Sequence, residues 1–253
     1  MMGPMWRTPP VRLEDRVRAP VPPPPDRLRD AFFDRVSGLT LGAVRAERWR
    51  LRLGPLTLLA FDEPAFDGTC WAWPIAGGLL ARSPGGVLRF GWRDGLLVGA
   101  VDGYRPSLPR PLYRLTQAHV HRLVTRRFLL LLRGRTPAPG VPAGPAPRLV
   151  AAAVDVVLCA AATAALRPRR RLLAFGVLAA AYHVACWSMA GRTAGGLVVG
   201  QRLVSVDGSR VTLGQALVRL VALPLAARTG RAMHDEAAGT EVVDSSTFVS
   251  RPG

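Results

Sequence analysis

The sequence contains two long apolar stretches that are separated by a turn too short for anything but a tight helical hairpin. Residues 149–166 hold one charged side chain, Asp155, and residues 172–190 hold no polar group that titrates near neutral pH other than His183. At about 1.5 Å per residue, each stretch approaches the roughly 30 Å hydrocarbon thickness of a bilayer. Only residues 167–171 lie between them. We therefore predict two antiparallel transmembrane helices.

A third apolar segment, residues 213–227, carries Arg219 and Pro224. As a helix it would be about 22 Å long, which is short for a full span. A third span and an interfacial or re-entrant helix therefore both stay open. Thr212 and Gln215 form a capping-box pattern ahead of this segment, which predicts a helix start there.

The charge of the chain has to be weighed against a compositional bias. The formal net charge is +17, and all 34 basic residues are arginine, with no lysine and no asparagine. Such usage is typical of GC-rich coding, so arginine richness alone is a poor functional signal. A large positive charge attracts nucleic acid or anionic lipid. The long apolar stretches favour the lipid bilayer as partner and argue against nucleic acid.

The N-terminal region predicts a small α+β domain with an antiparallel sheet. Residues 1–25 are rich in proline and arginine, so we expect a disordered tail. Residues 26–135 form the expected domain, with a short helix near 26–33 and a meander of strands between repeated Asp-Gly and Gly-Gly turns. The clearest hairpin joins residues 86–92 to 96–101 across Asp94 and Gly95.

Two further segments complete the predicted N-terminal part. Residues 112–132 have apolar side chains at helical spacing, which predicts one amphipathic helix that leads toward the membrane. Residues 136–147 contain five prolines and are interpreted as an interdomain linker. Residues 148–243 would then be the membrane domain, and residues 244–253 a disordered tail.

The C-terminal region resembles the RDD family. The residues that carry the resemblance are Arg148 just before the first span, Asp155 inside it, Thr193-Ala194-Gly195, Gly200 to Val204, Arg219, His234-Asp235, Gly239-Thr240 and Val242-Val243. The resemblance implies a helical membrane domain, for which ion transport or antiport is one suggested role. Where the family usually has a lysine, this chain has Gly196, so any role of that lysine does not carry over.

Asp155 is the first functional candidate, because a carboxylate within a span is costly unless it faces a partner or water. Counted from the turn, Asp155 and His183 lie eleven residues into their helices, at the same depth of roughly 16 Å. They are expected to form a pair. The pair could relay a proton, or it could be a hydrogen bond that only joins the helices.

Asp235 is the second candidate, and we expect it to pair with an arginine such as Arg148, Arg219 or Arg231. His234 lies beside it, but too few ligands are nearby for a metal site. Cys159 and Cys186 differ in depth by about 10 Å, so no disulfide is expected. His119 and His121 point to different sides of a helix and complete no catalytic set. We expect no enzyme activity, no cofactor and no metal.

Two functions remain open at this point. The chain could be a transport component in which Asp155, with His183 or Arg219, handles a proton or small cation. Alternatively, it could be a non-catalytic anchor that positions its N-terminal domain or recruits a partner, which could be a protein or a second copy of the chain. We expect a multi-pass protein of a bacterial inner membrane with its N-terminal domain in the cytoplasm.

Overall fold

The computed structural model describes residues 10–40, 42–166, 169–229 and 233–248. The chain forms two compact units, Met1–Gly134 and Arg135–Gly253. The first unit is built on an antiparallel sheet, as the sequence predicts. Its elements, in chain order, are β1 (Val11–Arg18), α1 (Pro25–Leu39), β2 (Arg45–Glu47), β3 (Arg50–Leu53), β4 (Leu56–Phe61), β5 (Ala65–Phe66), β6 (Cys70–Gly77), β7 (Val87–Arg93), β8 (Leu96–Tyr104), α2 (Arg110–Leu115) and α3 (Gln117–Arg133).

The strands lie in the order β1-β8-β7-β6-β4-β3-β2, with β5 paired to β6. The predicted hairpin is confirmed, because β7 pairs with β8 and Arg93 faces Leu96 across the turn. Asp94 and Gly95 both have positive φ, 52° and 77°. Two left-handed residues match the right-handed twist of the strands that they join.

The core of the first unit is aromatic. Trp73, Phe90 and Phe128 are fully buried, and the rings of Phe90 and Phe128 are 4.8 Å apart. Phe32 of α1 packs on Phe90 at 5.0 Å. Helices α1 and α3 therefore cover the sheet with apolar side chains. Burial of such side chains is the main source of stability for a unit of this size.

Three predictions for this unit need correction. Residues 11–18 are not part of a disordered tail, because β1 pairs along β8 and buries Val17; residues 1–9 lie outside the described part of the chain. The first helix is longer than expected and ends at Leu39. The predicted helix over 112–132 is two helices that meet at Thr116, and α3 buries Phe128, Leu129 and Leu132 within the first unit.

The second unit begins with a helical hairpin. Its elements are α4 (Pro145–Leu166), α5 (Arg171–Ala185) with a π-helical continuation over Cys186–Ala190, α6 (Ala194–Val198), β9 (Gln201–Ser205), α7 (Leu213–Thr229), α8 (Met233–Ala238) and β10 (Thr240–Asp244). Among the described residues, two helical segments are long and apolar enough to cross a membrane by length and composition, Pro145–Leu166 and Arg171–Ala190. In these segments only 22% and 6% of the most apolar stretch is buried.

The proline-rich segment before α4 is not a free linker. Ala143 N donates to Val242 O at 2.9 Å, and Asp244 N donates to Val141 O at 3.0 Å. The segment thus pairs with β10, which itself pairs with β9. Pro145 opens α4, where the missing N–H costs nothing because the first-turn donors have no partner within the helix. Residues 245–247 also form a turn, so the predicted C-terminal tail is wrong for these positions.

The predicted capping box at the start of α7 is confirmed. Gln215 N donates to Thr212 Oγ1 at 3.3 Å, and Thr212 N donates to Gln215 Oε1 at 3.1 Å. The apolar part of α7, Leu213–Pro224, is shorter than the two long segments. Its length is below that of a usual span.

Candidate functional site: a buried polar network in the second unit

Asp155 is buried on α4 with only 3% of the residue exposed. Its Oδ1 accepts two hydrogen bonds, from Tyr182 Oη at 2.8 Å and from Gly195 N at 2.9 Å. Tyr182 Oη accepts a bond from Ala194 N at 2.7 Å. One carboxylate oxygen therefore joins α4, α5 and the start of α6.

The other carboxylate oxygen faces His183. Asp155 Oδ2 and His183 Nε2 are 3.8 Å apart, so the predicted proximity of these two residues is confirmed. This distance is too long for a direct hydrogen bond. His183 Nδ1 lies 2.8 Å from Ala179 O. Because a carbonyl oxygen only accepts, Nδ1 carries the hydrogen and neutral His183 presents the lone pair of Nε2 to the carboxylate.

Gly195 allows α6 to approach α4. A Cβ atom on Gly195 would meet the backbone of Ala151 well inside contact distance. Thr193 caps α6 by accepting a hydrogen bond from Gly196 N at 3.1 Å. The Thr-x-Gly sequence thus places Gly195 N beside Asp155, and Gly196 takes part through its backbone.

Asp235 is the centre of a second polar cluster and is 2% exposed. Its Oδ2 lies 3.1 Å from Arg148 Nη1, and its Oδ1 forms an ion pair with Arg219. Thr240 Oγ1 donates to Asp235 Oδ1 at 3.1 Å. The predicted pairing with an arginine is met by two arginines at once, whereas Arg231 lies outside the described residues.

His234 adjoins this cluster without forming a metal site. Its Nε2 is 3.7 Å from Asp235 Oδ2. Burial, together with the smaller effect of the Arg219 and Arg148 charges, lowers the pKa of His234 to about 4. The ring is therefore neutral at pH 7. Within the described part of the chain, no group of three or more His, Cys, Asp or Glu side chains could hold a metal.

One aromatic residue links the two clusters. The guanidinium of Arg219 lies 5.0 Å from the centre of the Trp187 ring, and the His183 ring lies 5.1 Å from it. A cation above an indole face is attracted by the ring quadrupole. Trp187 therefore positions both the histidine of one cluster and the arginine of the other.

Both clusters border a cavity of about 710 Å³ within the second unit. Asp155, His183, Arg148, Arg219 and His234 all line it. This volume lies within the range of small-molecule sites, roughly 300–1,000 Å³. Five of the six residues selected from the sequence thus share one cavity, and the sixth, Asp235, is bonded to two of them.

Other candidates from the sequence are not part of this site. Cys70, Cys159 and Cys186 are free thiols. In the first unit, His119 is exposed whereas His121 lines an apolar cavity of about 150 Å³. Burial lowers the pKa of His121 to about 4, with a smaller contribution from Arg122.

Three site residues are found only in the structure. Tyr182 had a signal in the sequence, because a tyrosine beside a histidine in an apolar helix is a second polar group at the same depth. Thr240 stood within the quoted Gly239-Thr240 pair but had no assigned role. Trp187 gave no signal, because only the structure shows that it lies between His183 and Arg219.

The fold and the site define a unit with two long apolar helices over a buried network of arginine, aspartate and histidine. Residues 171–246 match the model of the RDD family, and this part of the chain is an RDD domain. The match excludes α4, so Arg148 and Asp155 precede the matched residues. No curated protein and no solved structure matches the chain.

Proposed function

We propose that this chain is an integral membrane protein whose second unit crosses the bilayer with α4 and α5. Helix α4 has 22 residues and is about 33 Å long, enough for the hydrocarbon layer. Large apolar side chains such as Leu149, Val157 and Leu172 are 71%, 67% and 86% exposed in the isolated chain. Contiguous apolar surface of this kind is unfavourable in water and suits lipid. The RDD match supports the same proposal.

We further propose that Asp155 and His183 bind and release one proton as part of a transport process. This proposal rests on the 3.8 Å distance between Asp155 Oδ2 and His183 Nε2. In the neutral tautomer described above, two acceptors confront each other with no hydrogen between them. A single proton, held directly or through one water molecule, satisfies both. Uptake of that proton would change the charge of a group on the cavity wall.

The proton is favoured over a small metal cation as the species handled. Four arginines line the cavity, whereas Asp155 is the sole carboxylate among the described lining residues. A wall with this balance of charge repels a free cation. A proton avoids this repulsion because it is bound at the Asp155–His183 pair itself.

The second candidate function is a non-catalytic anchor for the first unit or for a partner. The observation in its favour is that Asp155 Oδ1 is already fully used by Tyr182 and Gly195. A carboxylate with this role holds three helices together and needs no proton exchange.

Proton flux in proteoliposomes tests the two functions against each other. His183→Gln is the sharper variant, because it removes the titrating group and leaves both hydrogen bonds to Asp155 Oδ1 in place. We expect it to abolish the pH-dependent flux of the wild type, as should Asp155→Asn. His119→Gln, an exposed histidine of the first unit, is the matched control. A folded wild type without flux would favour the anchor. Undiminished flux in His183→Gln would contradict the proposed role of the Asp155–His183 pair.

A further inference from the structure

The arginines that line the cavity of the second unit carry more positive charge than the nearby carboxylates neutralise. Asp235 is paired with two of the lining arginines, and Asp155 is hydrogen bonded by neutral groups. In the described ranges, no ion pair is formed by Arg192 or Arg202. The lining arginines are Arg148, Arg192, Arg202 and Arg219. An excess of fixed positive charge around a cavity attracts an anion.

Two buried side chains on the wall keep unused hydrogen-bond donors. Gln201 is 5% exposed and Arg219 is 6% exposed. Gln201 Nε2 and Arg219 Nε have no hydrogen-bond partner among the described residues. A buried donor without a partner costs roughly 1–3 kcal/mol. Both residues line the cavity, and a ligand whose acceptor oxygens reached these donors would satisfy them.

The positions of Arg148 and Arg192 relative to the long helices indicate which anion could reach the cavity. Arg148 lies 18 residues before Leu166, the last residue of α4, which is about 27 Å from that end. Arg192 follows the segment Arg171–Ala190, which is about 30 Å long at the same rise. Both arginines therefore lie at one edge of the hydrocarbon layer. Lipid phosphates are found at that level.

We propose that this cavity binds a phosphate-bearing anion, with Arg192, Arg202 and the free amide of Gln201 as contacts. The guanidinium fork matches two phosphate oxygens at once. The phosphate belongs to an anionic lipid headgroup or to a free phosphate compound. The site does not depend on proton exchange at Asp155, since neither Arg192 nor Arg202 touches that pair.

The test uses the full chain, purified in detergent and depleted of lipid. Phosphatidylglycerol, phosphatidylcholine and inorganic phosphate are titrated separately, and binding is followed by calorimetry. The double variant Arg192→Gln with Arg202→Gln removes the two lining arginines that form no ion pair among the described residues, and it spares the Asp235 cluster. Arg202 also loses its contact with the Phe248 ring, which lies 5.1 Å from its guanidinium. Arg210→Gln, an exposed arginine of the same unit outside the cavity, is the matched control. Arg192→Lys retains the charge if the double variant folds poorly.

We expect the double variant to weaken phosphatidylglycerol binding by about 30-fold, because each arginine near an anionic surface contributes roughly a factor of five. Arg210→Gln should leave binding unchanged, and Arg192→Lys should retain most of it. Competition by inorganic phosphate would identify a free phosphate compound as the source, whereas binding of the lipid alone would identify the headgroup. Equal affinity for phosphatidylcholine, or no loss in the double variant, would overturn the proposal.

Discussion

The two units of this protein differ in the side chains that they bury and in those that their long helices expose. Among the described residues, Thr125 is the one buried polar side chain of the first unit, whereas ten belong to the second. The first unit buries phenylalanine and tryptophan, and the second leaves leucine and valine on the outside of its long helices. A unit with an apolar core suits water, and a unit with polar groups inside and apolar ones outside suits lipid.

The largest effect is expected from Asp235→Asn. The substitution leaves the buried guanidinium of Arg219 without a counter-charge, and loss of one partner of a buried pair costs roughly 3–5 kcal/mol. Unfolding of the full chain in detergent measures this loss. The exposed neighbour Glu236 supplies the control Glu236→Gln, for which we expect a change below about 0.5 kcal/mol.

A second substitution refines that result. Arg219→Gln added to Asp235→Asn removes the isolated charge and should restore part of the stability. If both single variants, Asp235→Asn and Glu236→Gln, had the same stability, the polar interior would not be what holds the second unit together.

Substituting an exposed valine of each unit with arginine tests directly whether the surface of that unit faces lipid or water. Val157, near the middle of α4, is 67% exposed, and Val21 of the first unit is 74% exposed. In lipid, Val157→Arg should cost about 2.5–3.5 kcal/mol of insertion free energy, whereas Val21→Arg in water should change stability by less than about 0.5 kcal/mol. The fraction of each variant retained in washed membranes measures the difference. Equal retention would show that α4 does not face lipid.

A smaller effect is expected where α6 meets α4. Gly195→Ala places a Cβ atom against the backbone of Ala151 and should destabilise the second unit by about 1–3 kcal/mol. Gly176→Ala on α5 is the control, because a Cβ there meets nothing within 4 Å. Thermal unfolding of the two variants gives the comparison, and equal midpoints would mean that the helices can separate freely.

Patterns within one segment were readable from the sequence. The β7–β8 hairpin follows from Asp94-Gly95 between apolar runs, and the start of α7 follows from Thr212 and Gln215. The contact of Asp155 with His183 also followed, because a helical hairpin with a short turn fixes the depth of each residue by counting. The RDD resemblance was confirmed over residues 171–246.

Features that depend on distant partners were not readable. Strand β1 has a composition that resembles a tail, and it is ordered because it pairs with β8, whose residues follow their partners by 78 to 93 positions. Pairing of residues 141–143 with β10 likewise depends on the far end of the unit. From the sequence, Arg148 and Arg219 were alternative partners of Asp235. Only the tertiary structure shows that both arginines pair with this carboxylate.

The backbone hydrogen bonds between Val141, Ala143 and the last strand also limit how often the chain can traverse a bilayer. Residues joined by such bonds must occupy one compartment. The chain that enters α4 and the chain that leaves β10 therefore emerge on the same side, and the number of complete crossings between them is even. In the proposed membrane arrangement α4 and α5 supply two, so α7 enters and leaves by one face. Reporter groups at residues 140 and 248 would thus share their accessibility.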